Sequence, residues 1–155
     1  MRLIIVRFNR NKLLVSLLFF IVLFSSPLAH SAPSGVGEIG NDGCLCHGAR
    51  SQLTSVIING IPQEWAANNS YEMSIIINSS IEISDEENAR IGGFRLMVNE
   101  GTVVFADNDS AQVINEGYTH TSSGNQYRQW NFSWTAPSSN DSVVNFVVHG
   151  NAVNS

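Results

Sequence analysis

The segment with the densest chemistry is Gly43-Cys44-Leu45-Cys46-His47-Gly48, which holds both cysteines of the chain and a histidine directly after the second. In covalent haem attachment, thiols add to the vinyl groups and the histidine that follows the second cysteine ligates the iron. The usual spacing is Cys-x-x-Cys-His, so this segment is one residue shorter. We therefore predict a haem c site in which Cys46 and His47 keep their usual places, while Cys44 is either strained or free.

Two other readings of the same segment stay open. Two thiolates and an imidazole are also ligands for a soft ion, so Cys44, Cys46 and His47 can bind copper or zinc with a fourth ligand from elsewhere. A structural alternative is a disulfide, either with a partner or between the two cysteines. An internal bridge would close a very small ring, because bond geometry requires a Cα separation of about 4.4–6.8 Å.

The first 31 residues have the pattern of a secretory signal peptide. Basic residues between Arg2 and Lys12 precede an apolar run, residues 13–24, and Ala29-His30-Ser31 offers small residues at the cleavage site. The apolar run is short for a membrane span, which needs about 20 residues. We predict a signal peptide at 1–31, an extended arm with the Cys-x-Cys-His loop at 32–52, and a β-sandwich domain at 53–155.

Export changes the charge of the chain and the environment of its thiols. All thirteen acidic residues lie beyond Ser31, but only four of the eight basic residues do, which leaves a net charge of −9 and no lysine. Such a surface repels nucleic acid and anionic lipid, so we expect neither as a partner. Compartments outside the cytoplasm are oxidising, so the thiols of Cys44 and Cys46 are expected to be bonded to a cofactor, a metal ion or another thiol.

The sequence beyond Arg50 alternates between apolar and polar residues in short runs separated by turn residues, which is typical of an antiparallel sandwich. Trp130, Phe132 and Trp134 recur at every second position and are predicted to form an inner face. Trp65 is predicted to cap one end of the core, and Gly92-Gly93 to mark a bulge or a close backbone approach. The predicted strands are 53–58, 71–78, 91–99, 102–106, 111–114, 127–135 and 142–149. The fold class is all-β, an antiparallel sandwich preceded by an extended Gly-rich arm.

Several of these segments together carry a family resemblance: Ile91–Val98, Tyr118–Thr121, Trp130–Pro137, Val143–Phe146 and Gly150–Ala152. They resemble the choice-of-anchor V domain, which is itself similar to the Reeler domain of secreted and cell-surface animal proteins. The resemblance covers roughly Gly43 to Ser155. It implies a Reeler-like or immunoglobulin-like sandwich, a surface location, and a haem-attachment-like motif that maps onto Cys44, Cys46 and His47.

The family pattern continues into another strand and then into a surface anchor, so we expect the chain to be truncated at its C-terminus. Membrane association would then arise only through a C-terminal anchor that this chain does not contain.

His120 is the second candidate site residue. It lies in Glu116–Asn125, which is predicted to be an irregular loop, and it matches the family histidine. It can serve as a second axial ligand, or it can hold the loop by hydrogen bonds. His149 is predicted to end a strand, and Met73 and Met97, placed within the sheet, are weaker candidate ligands. The acidic Asp85–Glu87 turn is predicted to be a solvated loop, since its spacing does not suit calcium.

No nucleophile elbow, phosphate-binding glycine loop or zinc-protease motif occurs in the sequence, so we predict that the protein is not an enzyme. The predicted function is a secreted or cell-surface module whose haem serves extracellular electron transfer or redox sensing with an unidentified redox partner. The alternative is an adhesive module that binds a surface ligand and whose cysteine loop is structural or holds a metal ion.

Overall fold

The computed structural model describes residues 51–139 and 142–154, and the strands in these ranges form two antiparallel sheets. The first sheet has the order β1-β2-β7-β4 and the second has the order β5-β6-β3-β8. The strands are β1 (Thr54–Asn59), β2 (Ser70–Ser79), β3 (Gly92–Val98), β4 (Thr102–Phe105), β5 (Ala111–Ile114), β6 (Gly117–His120), β7 (Gln129–Thr135) and β8 (Phe146–Ala152). A short 3₁₀ turn, Gly124–Gln126, links β6 to β7. The predicted all-β sandwich is confirmed.

The first sheet follows the predicted alternation closely. Trp130, Phe132 and Trp134 of β7 are 2%, 0% and 0% exposed, which confirms their place on the inner face. On the neighbouring strand, Ile75 lies opposite Trp130 and is also fully buried. Successive side chains of a strand point to opposite faces, so the polar residues between these rings face outward.

The core forms where rings from the two sheets meet. Between ring centroids, Phe94 of β3 lies 4.7 Å from Trp130 of β7 and 5.4 Å from Phe105 of β4. Trp65 contacts Trp134 edge-on with a centroid distance of 5.9 Å. The predicted role of Trp65 as a cap on the core is therefore confirmed.

The predicted loop at Glu116–Asn125 is wrong, because β6 occupies its first part. Asn115 and Glu116 both have positive φ, 45° and 57°, and they form a two-residue turn between β5 and β6. Turns with two positive φ values match the twist of the paired strands, so the chain reverses at once into β6. His120 is consequently the last residue of a strand and does not lie in an irregular loop.

The last strand is also displaced from its prediction at 142–149. It begins at Phe146 and runs to Ala152, because it pairs with β3 along the whole of that strand, from Val98↔Phe146 to Gly92↔Ala152. His149 therefore lies within β8 and does not end it.

Within residues 51–139 and 142–154, no helix reaches the length and apolarity that a bilayer crossing requires. The predicted signal peptide and the arm up to residue 50, with Cys44, Cys46 and His47, lie outside the described residues.

Candidate functional site

His120 lies at the point where β3 and β6 stop pairing. The two strands pair through Arg95↔Thr119 and Leu96↔Tyr118. The next N–H along β3, that of Phe94, donates to Nδ1 of His120 at 3.1 Å. A side chain thus takes the place of a strand partner, and the imidazole joins the two strands.

Two further groups surround the same ring nitrogen. The hydroxyl of Thr119 donates to the carbonyl oxygen of Phe94 at 2.7 Å. Nδ1 of His120 lies 3.3 Å from that carbonyl oxygen and 3.4 Å from Thr119 Oγ1. The ring has room only because residue 93 is glycine, since a Cβ there would lie 2.6 Å from His120 Cε1. The predicted close backbone approach at Gly92-Gly93 is confirmed.

Burial sets the protonation state of this histidine. The His120 side chain is 7% exposed, and desolvation lowers its pKa, opposed by the carbonyl of Phe94. The neutral ring accepts the Phe94 N–H at Nδ1, which places its own proton on Nε2. In this tautomer neither ring nitrogen has a lone pair free for a metal.

The same surroundings also suit the other tautomer. If the proton moves to Nδ1, the carbonyl of Phe94 and the hydroxyl of Thr119 are within reach as acceptors. Histidines that bind metals commonly donate their second ring N–H to a backbone carbonyl in this way. Binding of a metal through Nε2 would require this second tautomer and would cost the hydrogen bond from the Phe94 N–H.

Arg128 links the first described residues of the chain to the β3 segment that contacts His120. Gln52 and Leu53 line a shallow cavity together with Arg128. Arg128 donates to the carbonyl oxygens of Ile91 at 3.0 Å and Val153 at 3.2 Å. Ile91 directly precedes Gly92-Gly93, a segment that contacts His120. Arg128 therefore lies between Gln52 and this segment of the chain.

Covalent geometry limits how far the predicted loop can be from Gln52. Cys46 and His47 precede Gln52 by six and five residues. An extended chain spans at most about 3.6 Å per residue, so both side chains start within about 22 Å of Gln52.

The weaker candidates are distributed through the sandwich. Met73 is buried in the core as predicted, and Met97 is half-buried. Asp85, Glu86 and Glu87 are exposed. Among the described residues, no group of three His, Cys, Asp or Glu side chains is arranged to hold a metal ion.

One notable residue, Arg95, was not singled out from the sequence. It is 2% exposed, and its guanidinium donates to the carbonyl oxygens of Ile114 at 2.6 Å and Asn115 at 2.7 Å. These bonds hold the turn between β5 and β6. The available signal was a charged residue between Phe94 and Leu96, in the middle of an otherwise apolar strand.

No family model matches the chain, and no curated protein matches it. Among solved structures, it is similar to the Reelin-N domain of F-spondin with a TM-score of 0.44 and 15% identity, over 67% of this chain and 74% of that chain. It is also similar to two crystal structures of the human F-spondin reeler domain. The first has a TM-score of 0.44 and 16% identity, over 66% of this chain and 76% of that one. The second has a TM-score of 0.42 and 18% identity, over 66% of this chain and 79% of that one. Likenesses of this size establish neither family nor function, and the fold class rests on the two sheets themselves.

Proposed function

We propose that the chain is an exported, non-enzymatic β-sandwich module that holds haem c on its Cys-x-Cys-His loop for extracellular electron transfer or redox sensing. The observation that carries the proposal is the position of Gln52. This residue follows His47 by five positions and lines a cavity with Arg128, whose bond to Ile91 O connects it to the β3 segment that contacts His120. The segment just before Gln52 would supply two thiols and one imidazole, and His120 would supply a second imidazole.

Each candidate residue has a defined task. Cys46 would hold the haem through a thioether, formed by addition of its S–H across a vinyl double bond, with the hydrogen passing to the neighbouring vinyl carbon and no outside oxidant needed. His47, the next residue in the chain, would bind the iron. One residue separates Cys44 from Cys46, whereas the usual motif has two, so Cys44 does not occupy the usual position for a second thioether bond. A bound haem supplies one-electron chemistry, while the protein binds, orients and shields it.

His120 is proposed as the second imidazole ligand. Its burial keeps the ring neutral, which a ligand requires. Ligation through Nε2 would leave the ring proton on Nδ1, which would donate a hydrogen bond to the Phe94 carbonyl oxygen at 3.3 Å. The surrounding strands hold the ring in place, since sites on packed strands are positioned more precisely than sites on loops.

The test is expression in a host that carries out covalent haem maturation, followed by absorption spectra of the unmutated protein and its variants. We expect Cys46→Ala to abolish covalent haem and Cys44→Ala to retain part of it with a shifted band. His120→Ala should give a five-coordinate or water-ligated iron. The matched control is His149→Ala, which removes a histidine from β8 and should leave the six-coordinate spectrum intact.

Absence of covalent haem from the unmutated protein would overturn the electron-transfer proposal. Stoichiometric copper or zinc that is lost in the Cys44→Ala and Cys46→Ala variants would then support the metal alternative. If the unmutated protein binds neither haem nor a metal ion, the adhesive module with a structural cysteine loop is favoured.

A further inference from the structure

A polar cavity opens at one end of the first sheet, where β1 begins, β2 ends and β7 is about to begin. Ser55 and Asn78 lie opposite each other in the β1–β2 ladder, and the N–H of Ile77 donates to the carbonyl oxygen of Arg128 at 2.8 Å. All four residues line the cavity, whose volume is about 520 Å³. Sites for small molecules usually have volumes of about 300–1,000 Å³, so this cavity is large enough for a small ligand.

Four polar side chains of the cavity are exposed and uncommitted. Within residues 51–139 and 142–154, none of the four makes a hydrogen bond. They are Gln52, Ser55, Asn78 and Ser80. Hydroxyl and amide groups both donate and accept hydrogen bonds, so these side chains can satisfy the hydroxyl groups of a ligand.

Of the residues that line the cavity, only Arg128 is charged. Its Nε, Nη1 and Nη2 donate to the carbonyl oxygens of Ile91, Ile81 and Val153. A guanidinium has five N–H groups, so two remain after these three bonds. The side chain is half-buried, and the carbonyl oxygens that bind it carry no charge. The cavity therefore offers an unmatched positive charge, which favours a carboxylate as a ligand group.

We infer that this cavity binds a sugar acid of the uronic acid class, which carries one carboxylate and several hydroxyl groups on a single ring. The carboxylate would pair with the remaining N–H groups of Arg128, and the hydroxyls would bond to Asn78 and Ser80. Leu53 also lines the cavity and is 63% exposed, so it offers apolar surface to the C–H groups of the ring. A simple anion or a neutral sugar would each use only part of these groups.

The test is a titration of the full mature chain with D-galacturonate, followed by ¹⁵N NMR at the Arg128 Nε–H and the side-chain amide of Asn78. D-galactose has the hydroxyls without the charge, and acetate has the charge without the hydroxyls. We expect galacturonate to bind about tenfold more tightly than either, because a hydrogen bond to a charged group is worth about that factor. Trigalacturonate separates the two sources of such a ligand, since it binds more tightly than the monomer only if the cavity takes units of a longer acidic glycan.

Asn78→Ala should weaken the binding of galacturonate about threefold or more, as the loss of one hydrogen bond implies. The matched control is Asn59→Ala. Asn59 is exposed on the same face of β1 as Ser55 but does not line the cavity, so this variant should bind as the unmutated protein does. Arg128→Gln should remove the preference for galacturonate over galactose. Because Arg128 also binds three carbonyl oxygens, Asn78→Ala keeps the test decisive if Arg128→Gln does not fold.

The inference is overturned if galacturonate leaves the cavity signals unshifted, or if acetate binds as tightly as galacturonate. Equal weakening in Asn59→Ala and Asn78→Ala would overturn it as well. The inference does not rest on the proposed function. None of these results bears on the haem spectrum, so the two can fail separately.

Discussion

The two sheets of the sandwich bury different kinds of residue. In the first sheet, the buried positions of β2 and β7 are apolar throughout, as at Ile75 and Trp134. In the second sheet, Arg95 and Thr119 are 2% and 0% exposed although they face away from the core, and His120 is inserted between two strands. Packing holds the first sheet, whereas side-chain hydrogen bonds to the backbone hold part of the second. The second sheet is therefore the one whose stability can respond to protons, through His120.

The largest expected effect lies in the first sheet. Trp134 is fully buried against Trp65, Tyr71 and Phe146, and its Nε1 donates to Glu100 O at 3.0 Å. We expect Trp134→Ala to lower the free energy of unfolding by about 3–5 kcal/mol, the usual range for a buried large aromatic residue.

A urea titration at neutral pH measures this loss. The control is Val104→Ala on β4 of the same sheet, where the side chain is 56% exposed, and it should change stability by no more than about 0.5 kcal/mol. A loss below about 1 kcal/mol in Trp134→Ala would mean that packing does not hold the first sheet.

A smaller effect, confined to acidic pH, is expected in the second sheet. Burial lowers the pKa of His120, and unfolding returns it to about 6.5. Below that pH the unfolded chain binds a proton that the folded protein does not, so this contribution makes stability fall as the pH drops below about 6.5. The fall ends once the pH is below the pKa of the folded state.

The measurement is a set of urea midpoints between about pH 5 and 8 for the unmutated protein and for His120→Gln. Glutamine cannot titrate but keeps an acceptor for the Phe94 N–H. We expect the variant to lose part of the pH dependence. Identical pH profiles would show that His120 does not couple the second sheet to protons.

The same contrast explains which strands could be predicted. β2 was predicted at 71–78 and observed at Ser70–Ser79, and β7 was predicted at 127–135 and observed at Gln129–Thr135. Their apolar residues alternate because one face is buried, so the sequence pattern and the burial pattern coincide. The inner face of Trp130, Phe132 and Trp134 followed directly from this pattern.

β6 could not be predicted in this way because its buried residues are Gly117, Thr119 and His120, which give no apolar alternation. Its turn, Asn115-Glu116, also lacks the glycine that usually marks two positive φ values. The burial of Arg95 depends on a turn 19 and 20 residues away in the chain.

The candidate site contains both residues that are adjacent in the chain and residues that only the fold brings together. The Cys-x-Cys-His segment is visible in the sequence because all its members are adjacent. The tautomer of His120 depends on the N–H of Phe94, 26 residues earlier, and only the fold brings the two together. Candidate residues that are adjacent in the chain could thus be found in the sequence, whereas the hydrogen bonds around His120 could not be predicted from it.

The most direct test of a haem on Cys46 is the intact mass of the exported protein from a haem-maturing host. We expect the mass of a chain that begins at Ala32 plus one haem, and the mass of the chain alone for Cys46→Ala. A chain without haem in the unmutated protein would contradict it.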